Sequence, residues 1–358
     1  MLYVFITIFL FLLSYQQSGK IRSREQIYNA TLVGLFLFSA FRYQVGCDWT
    51  GYLNQFEQAS TDWSYILSSS APIWWFFLGW VKELGLIYPI MNVISSFIFF
   101  AGIHVLAKRQ PDPLGFLVLL FPILIINMPM TAMRQGAAIG LISIAITKFL
   151  DQKTIPYAFW VILATGFHNS AAVFFLLIPL ATGRYTRNRL IMAALLAIPG
   201  IIILAGGEGV EMATSRYVDR DVQSNGAIYR IGLLSITSFY FFFFVRKKWK
   251  RLFPEDFSIV SIGAMGMALA FALIPVSTVI GDRFGYYLVP IQTMIFARLP
   301  FLPFRSIRSL HIVSPYIGLI VVFSVWSLLS RHFQLCYVPY NTWLFGIPEN
   351  TMYSTCCM

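Results

Sequence analysis

Apolar runs of about 15 to 20 residues recur from one end of the chain to the other, and the short breaks between them hold nearly all the charge. That repetition leaves few folds open. Backbone placed in hydrocarbon must satisfy its own hydrogen bonds, so only helices and closed barrels span a bilayer. The strand alternation of a membrane barrel is absent. The pattern predicts an all-α fold: a polytopic transmembrane helical bundle of roughly 10–12 helices, with short re-entrant or interfacial helices. Charged residues make up 11% of the 358 residues, against about 25% in a soluble domain. No polar block separates two domains, so a single membrane domain over 1–358 is expected, with outer loops at 42–72 and 206–228.

The charge distribution gives an orientation. Six breaks, at 19–26, 107–112, 148–153, 183–189, 246–256 and 298–308, hold 18 of the 26 Lys and Arg residues and 5 of the 15 acids. The positive-inside rule assigns them to the cytoplasm. The remaining 8 cations and 10 acids leave the opposite face nearly neutral. The net charge of +11 is therefore a topology signal, and no nucleic-acid partner is expected. Parity closes with an outside N-terminus and helices at 1–16, 28–42, 86–106, 114–130, 132–150, 190–206, 229–245, 257–276, 284–299 and 311–330. The opening apolar run lacks a basic leader and a clear cleavage site, and is taken as a first helix. Residues 72–85 suit an outer interfacial helix. Residues 155–182 suit two short helices meeting at the polar break GFHNS, 166–170. The four cysteines, Cys47, Cys336, Cys356 and Cys357, lack metal-ligand spacing, and the vicinal Cys356–Cys357 pair is a poor disulfide candidate; free thiols or a loose tail are expected.

Seven of the eight outer cations are arginine, the side chain suited to a bidentate grip on phosphate. Arg134 in PMTAMRQGAAIG and Arg230 in NGAIYRIGLL fall at helix starts, and Arg283 in GDRFGYYLVP follows Asp282, a natural N-cap. A cation at a helix N-terminus opposes the macrodipole, whereas an anion bound there is favoured. Snorkelling to the interface is the plainer explanation. His168 stands in the middle of an apolar region, where an ionisable group marks function by default; a structural hydrogen bond across the break is its alternative. Asp48 lies six residues after Arg42 in an aromatic turn and either pairs with that arginine or acts on a ligand. Trp49 and Tyr52 belong either to an interfacial aromatic belt or to a sugar-stacking face. Loop 206–227 carries Arg216 and is either a lid or a connector. No metal cluster and no cofactor motif is visible.

Four short patterns occur in order along the chain. They are Arg42, Gly46, Asp48 and Tyr52 after the second helix, then Met133, Arg134 and Gln135, then His168 and Ser170, then Arg283, Phe284, Tyr286 and Tyr287. Together they resemble the EpsG family, Wzy-type polymerases of bacterial exopolysaccharide and O-antigen. Cys47 departs from the pattern, where a small hydroxyl residue is expected. The resemblance implies a multi-pass protein of the bacterial inner membrane with its active site facing the periplasm. It implies glycosyl transfer between two undecaprenyl-diphosphate-linked oligosaccharides, a donor and an acceptor, with membrane lipid as surroundings; with the outer acids scattered and no paired carboxylates in the sequence, metal-independent transfer is expected. A flippase and a chain-length regulator are the partners it implies. His168, Asp48 and Arg134 are then the catalytic candidates. Arg42, Trp49, Tyr52, Gln135, Arg216, Arg230, Arg283 and Tyr286 are the substrate-binding candidates. The rival readings are a polysaccharide flippase or transporter, an O-antigen ligase, and a membrane acyltransferase.

Overall fold

The computed structural model describes residues 1–16, 21–183, 185–193, 195, 226–275, 277–304 and 306–348. The expected helix at 190–206 and the loop with Arg216 lie largely or wholly outside these residues, as do Cys356 and Cys357. The protein is an all-α helical membrane protein; among the described residues there is no β-strand, only one isolated antiparallel bridge between Arg42 and Thr342. Ile90–Ala107, Ala227–Leu252 and Arg308–Leu329 are long and apolar enough to cross a membrane, and five shorter apolar helices accompany them.

The chain forms two compact units: Met1–Leu141 with Leu163–Asn169 and Tyr316–Met358, and Ile142–Ile162 with Ser170–Pro315. In the first unit, α1 (Leu2–Gln16) and α2 (Ile21–Ala40) pack on α7 (Pro113–Leu120), and α2 also packs on α6 (Ile90–Ala107). The expected loop 42–72 is instead largely helical, with α3 (Trp49–Gln58) and α4 (Trp63–Ser68) both resting on α5 (Pro72–Glu83). Asp62 caps α4, its carboxylate accepting from the Ser64 amide. Helix α5 is amphipathic as expected: Trp74, Leu78 and Val81 are buried while Trp80 is exposed. Gly79 lets it approach the Ser60 carbonyl, which a Cβ would meet at 2.6 Å.

Helix α8 (Met133–Leu150) crosses α6 at backbone contact. A Cβ on Gly102 would lie 1.9 Å from the Gly140 carbonyl oxygen, and one on Gly140 would lie 2.6 Å from that of Ile98. Small residues at a crossing allow this approach, which is how helices associate tightly in lipid.

Residues 154–180 form the expected broken pair: α9 (Thr154–Phe167), then a 3₁₀ stretch at Asn169–Leu180, with His168 between them. The second unit holds α10 (Ala227–Tyr240), which continues through a π-helical turn at Phe241–Val245 into α11 (Arg246–Leu252). There α10, α12 (Phe257–Ala272) and α13 (Thr278–Arg298) pack together around Ala227, Ile231 and Ala270. Helix α13 starts six residues before the expected position. Ser277, not Asp282, is its N-cap, accepting from the Ile280 amide, so Asp282 and Arg283 sit in the second turn. The last span, α14 (Arg308–Leu329), leads to α15 (Arg331–Tyr337).

Candidate functional site

The segment 41–52 leaves α2 and is closed over by the C-terminal tail. Arg42 pairs with Thr342 in the isolated bridge. The Tyr43 amide donates to the Asn341 carbonyl, the Trp343 amide to Phe41, and the Gly46 amide to Cys336. The Tyr340 ring stacks on Phe38 with centroids 4.5 Å apart. Burial pushes the Tyr340 phenol up to about 12. A disulfide joins Cys47 to Cys336. The expectation of free thiols is thereby corrected for this pair: the fold brings together two cysteines 289 residues apart, which no local spacing could reveal. His332 completes a group of metal-type ligands with them, all within 4.8 Å. Its two sulfurs are joined to each other and present no thiolate.

Gly46 suits a turn in which a side chain would be strained. Its φ is +102°, and a Cβ there would lie 2.1 Å from the Met130 carbonyl oxygen. Arg42 is 1% exposed. Its Nε donates to the Val45 carbonyl at 3.0 Å and Nη1 to the Ser39 carbonyl at 2.8 Å. Burial drives its pKa down, yet an arginine stays charged even so. The guanidinium thus closes the end of α2 and the following turn onto each other.

Trp49 and Tyr52 are also buried. Trp49 meets Tyr88 edge-on at 4.9 Å, and Tyr52 meets Trp74 at 5.2 Å. The Tyr52 hydroxyl lies 3.5 Å from the Arg134 amide, a long contact at the first turn of α8. Asp48, by contrast, is exposed.

Arg134 is half-buried, and Gln135 behind it is 3% exposed. The Arg134 Nε donates to the Phe167 carbonyl at 3.4 Å. That carbonyl belongs to the residue preceding His168, so the start of α8 meets the helix break. The His168 amide closes α9 by donating to Ala164. The break itself is held from α5: Phe77 stacks on Phe167 at 5.8 Å, and Gly166 admits Ile73 so closely that a Cβ would meet its side chain at 2.5 Å. His168 is half-buried. The first unit thus brings Tyr52, Arg134 and the backbone beside His168 to one place.

In the second unit Arg230 makes a bidentate pair with Asp282, Nε to Oδ1 at 2.9 Å and Nη2 to Oδ2 at 2.6 Å. Its guanidinium also lies over the Tyr286 ring, 5.4 Å from the centroid. Asp282 is the residue the sequence reading assigned to helix capping; in the structure it grips an arginine. Arg283 is exposed beside it. Ser170 donates to the Tyr287 hydroxyl at 3.1 Å, and Phe174 packs on the Tyr287 ring.

Searches of curated proteins and of solved structures find no match. The sequence profile of the EpsG family, which is associated with membrane glycosyltransferase-like polysaccharide polymerases, matches residues 25–342. Nearly the whole chain is covered, including every described residue of both clusters, and the protein belongs to the EpsG family.

Proposed function

We propose that the protein joins polyprenyl-diphosphate-linked oligosaccharide repeat units at the outer face of the bacterial inner membrane. In this reading the non-reducing sugar of one lipid-linked unit attacks the anomeric carbon of another. The acceptor hydroxyl gives up its proton, the bond from the anomeric carbon to the phosphate oxygen breaks, and the polyprenyl diphosphate leaves with the electron pair.

The observation that carries the proposal is the meeting of the α8 start with the helix break. Arg134 lies in the first turn of α8, where the backbone N–H donors point out of the helix at the positive end of its dipole. A fixed cation beside such donors suits a leaving diphosphate, whose negative charge grows as the bond breaks. Arg134 also donates to the carbonyl before His168, so the anion grip and an imidazole occupy one neighbourhood. An imidazole near neutral pH needs little tuning to accept a hydroxyl proton. Asp48, exposed after the Cys47 turn, is the second candidate for that proton. Tyr52 reaches the α8 start with its hydroxyl, and Trp49, near it in sequence, packs on Tyr88. Arg230 is assigned an anion-holding role on its own geometry, with Asp282 and Tyr286 fixing its plane. The disulfide favours the outward orientation of the 41–52 face, since such bonds persist in oxidising compartments.

Complementation tests this. A strain lacking its polymerase receives wild type, Arg134→Ala or His168→Ala at matched membrane levels, and surface glycan is resolved on a gel. Wild type is expected to give a ladder and each variant a single repeat unit. Single units from wild type, with precursor present in the outer leaflet, would overturn the reading and favour a ligase or an acyltransferase. A normal ladder from His168→Ala moves the base to Asp48.

A further inference from the structure

The disulfide does not sit among inert neighbours. The exposed His332 places Nε2 3.1 Å and Nδ1 3.5 Å from the Cys47 sulfur. The two half-cystines also differ in access. Cys336 is 4% exposed, on the inner side of α15 between the buried Phe333 and Tyr337, whereas Cys47 is only half-buried. The reactive form of a cysteine is its thiolate, and a neighbouring imidazolium favours that form. Accessibility and activation therefore fall on the same sulfur.

We propose that Cys47, His332 and Cys336 form a thiol–disulfide exchange site in which Cys47 is the entry sulfur and Cys336 the resolving one. The external reactant is a small or protein-borne disulfide in one direction and the corresponding thiol in the other. In the forming direction the Cys47 thiolate attacks a sulfur of the external disulfide. One external thiolate leaves, and a mixed disulfide remains on Cys47. Cys336 loses its proton and attacks the Cys47 sulfur, expelling the second external thiolate. Two electrons have then passed from the chain to the external disulfide. In the opening direction an external thiolate attacks the Cys47 sulfur, and Cys336 leaves as a thiolate that takes up a proton. A second external thiol then attacks the external sulfur of the mixed disulfide and frees Cys47 beside His332.

Opening the bond releases one of the ties that hold the tail on segment 41–46, where the remaining ties are hydrogen bonds and ring packing. The exchange chemistry stands without the polymerase reading. The consequence for activity rests on it, because the loosened segment leads directly into Asp48, Trp49 and Tyr52.

The test uses the full-length protein in detergent, with Cys356→Ser and Cys357→Ser as background so that only the pair reports. Oxidised glutathione is the probe, and mass spectrometry follows the mixed disulfide. Cys47 in the Cys336→Ser variant is expected to react at least about 10-fold faster than Cys336 in the Cys47→Ser variant. His332→Ala is expected to slow Cys47 by about 5-fold or more, and His332→Lys to restore much of the rate by supplying a cation. A size-exclusion profile like that of the background protein shows that each variant is folded. The proposal fails if Cys336 reacts as fast as Cys47, or if His332→Ala leaves the Cys47 rate unchanged. It fails equally if, once the bond in the background protein has been reduced and the reductant removed, oxidised glutathione leaves Cys47 and Cys336 unjoined. None of these readouts involves sugar transfer, so a failed polymerase assay leaves them intact.

Discussion

Arg42 and Arg134 look alike in the sequence, since each is a lone arginine where an apolar helix meets a polar break. The fold puts them at opposite helix poles. Arg42 follows the C-terminus of α2, where the last carbonyls lack partners, and it donates to Ser39 and Val45. Charge and hydrogen bonding there serve the protein itself. Arg134 lies at the N-terminus of α8, where a cation opposes the helix dipole. One arginine answers a need of the backbone. The other also donates to a backbone carbonyl, that of Phe167, but from a helix pole where its charge adds a cost that an anionic ligand would offset. The comparison teaches that helix polarity, more than burial, separates a framework arginine from a candidate for substrate.

Four substitutions can break or sharpen that contrast. The largest effect is expected from Arg42→Ala, which strands two carbonyls in a buried turn. A loss of about 3 to 5 kcal/mol is expected, seen as low membrane level and an early fluorescence-detected melt. Arg42→Lys should fail as well, because a single ammonium does not reproduce the fork that reaches both carbonyls. A stable but inactive Arg42→Ala protein would move this residue to the ligand side of the comparison. Arg134→Ala comes next and should be its mirror image. Its melting temperature should stay near that of wild type while polymer formation falls about 100-fold or more. An unfolded Arg134→Ala protein would erase the distinction.

Gly46→Ala should destabilise by about 2 kcal/mol or more, because it combines a left-handed backbone with the Met130 carbonyl clash. The drop should appear in the same melt. A wild-type melt would mean that the turn can move away from Met130. The smallest effect belongs to Thr342→Val, which removes the hydroxyl donated to the Phe41 carbonyl. About 1 kcal/mol is expected, with the ladder intact. A lost ladder in a stable Thr342→Val protein would instead tie the tail to catalysis.

Much of this architecture was legible because the membrane makes apolar length informative. The broken pair around His168 followed from a run too long for one span, with polar residues at its middle. The amphipathic helix at 72–85 followed from its tryptophans and its charged end. The start of α13 differs from the expected one because Asp282, a natural cap in sequence, lies inside the helix. The earlier Ser277, which comes two residues after Pro275 and three before Ile280, is the better signal. The clasp between the tail and segment 41–47 was not legible. Its contacts join residues about 290 to 300 positions apart, and neither hydropathy nor spacing encodes such a pairing. The Arg230–Asp282 grip was hidden for the same reason: each residue had a plausible local job.

The bond between Cys47 and Cys336 also sets an order of events during synthesis. Cys47 emerges from the ribosome early, just after the second helix, and then waits for a partner 289 residues further on. Every helix from α6 to α14 is synthesised before that partner arrives. The turn that leads to Asp48 is therefore sealed at the end of biogenesis, after the bundle is in place. A chain cut short before residue 336 would insert most of its helices and still lack this seal. A chain nicked anywhere inside the loop would remain one covalent molecule until it met a reductant.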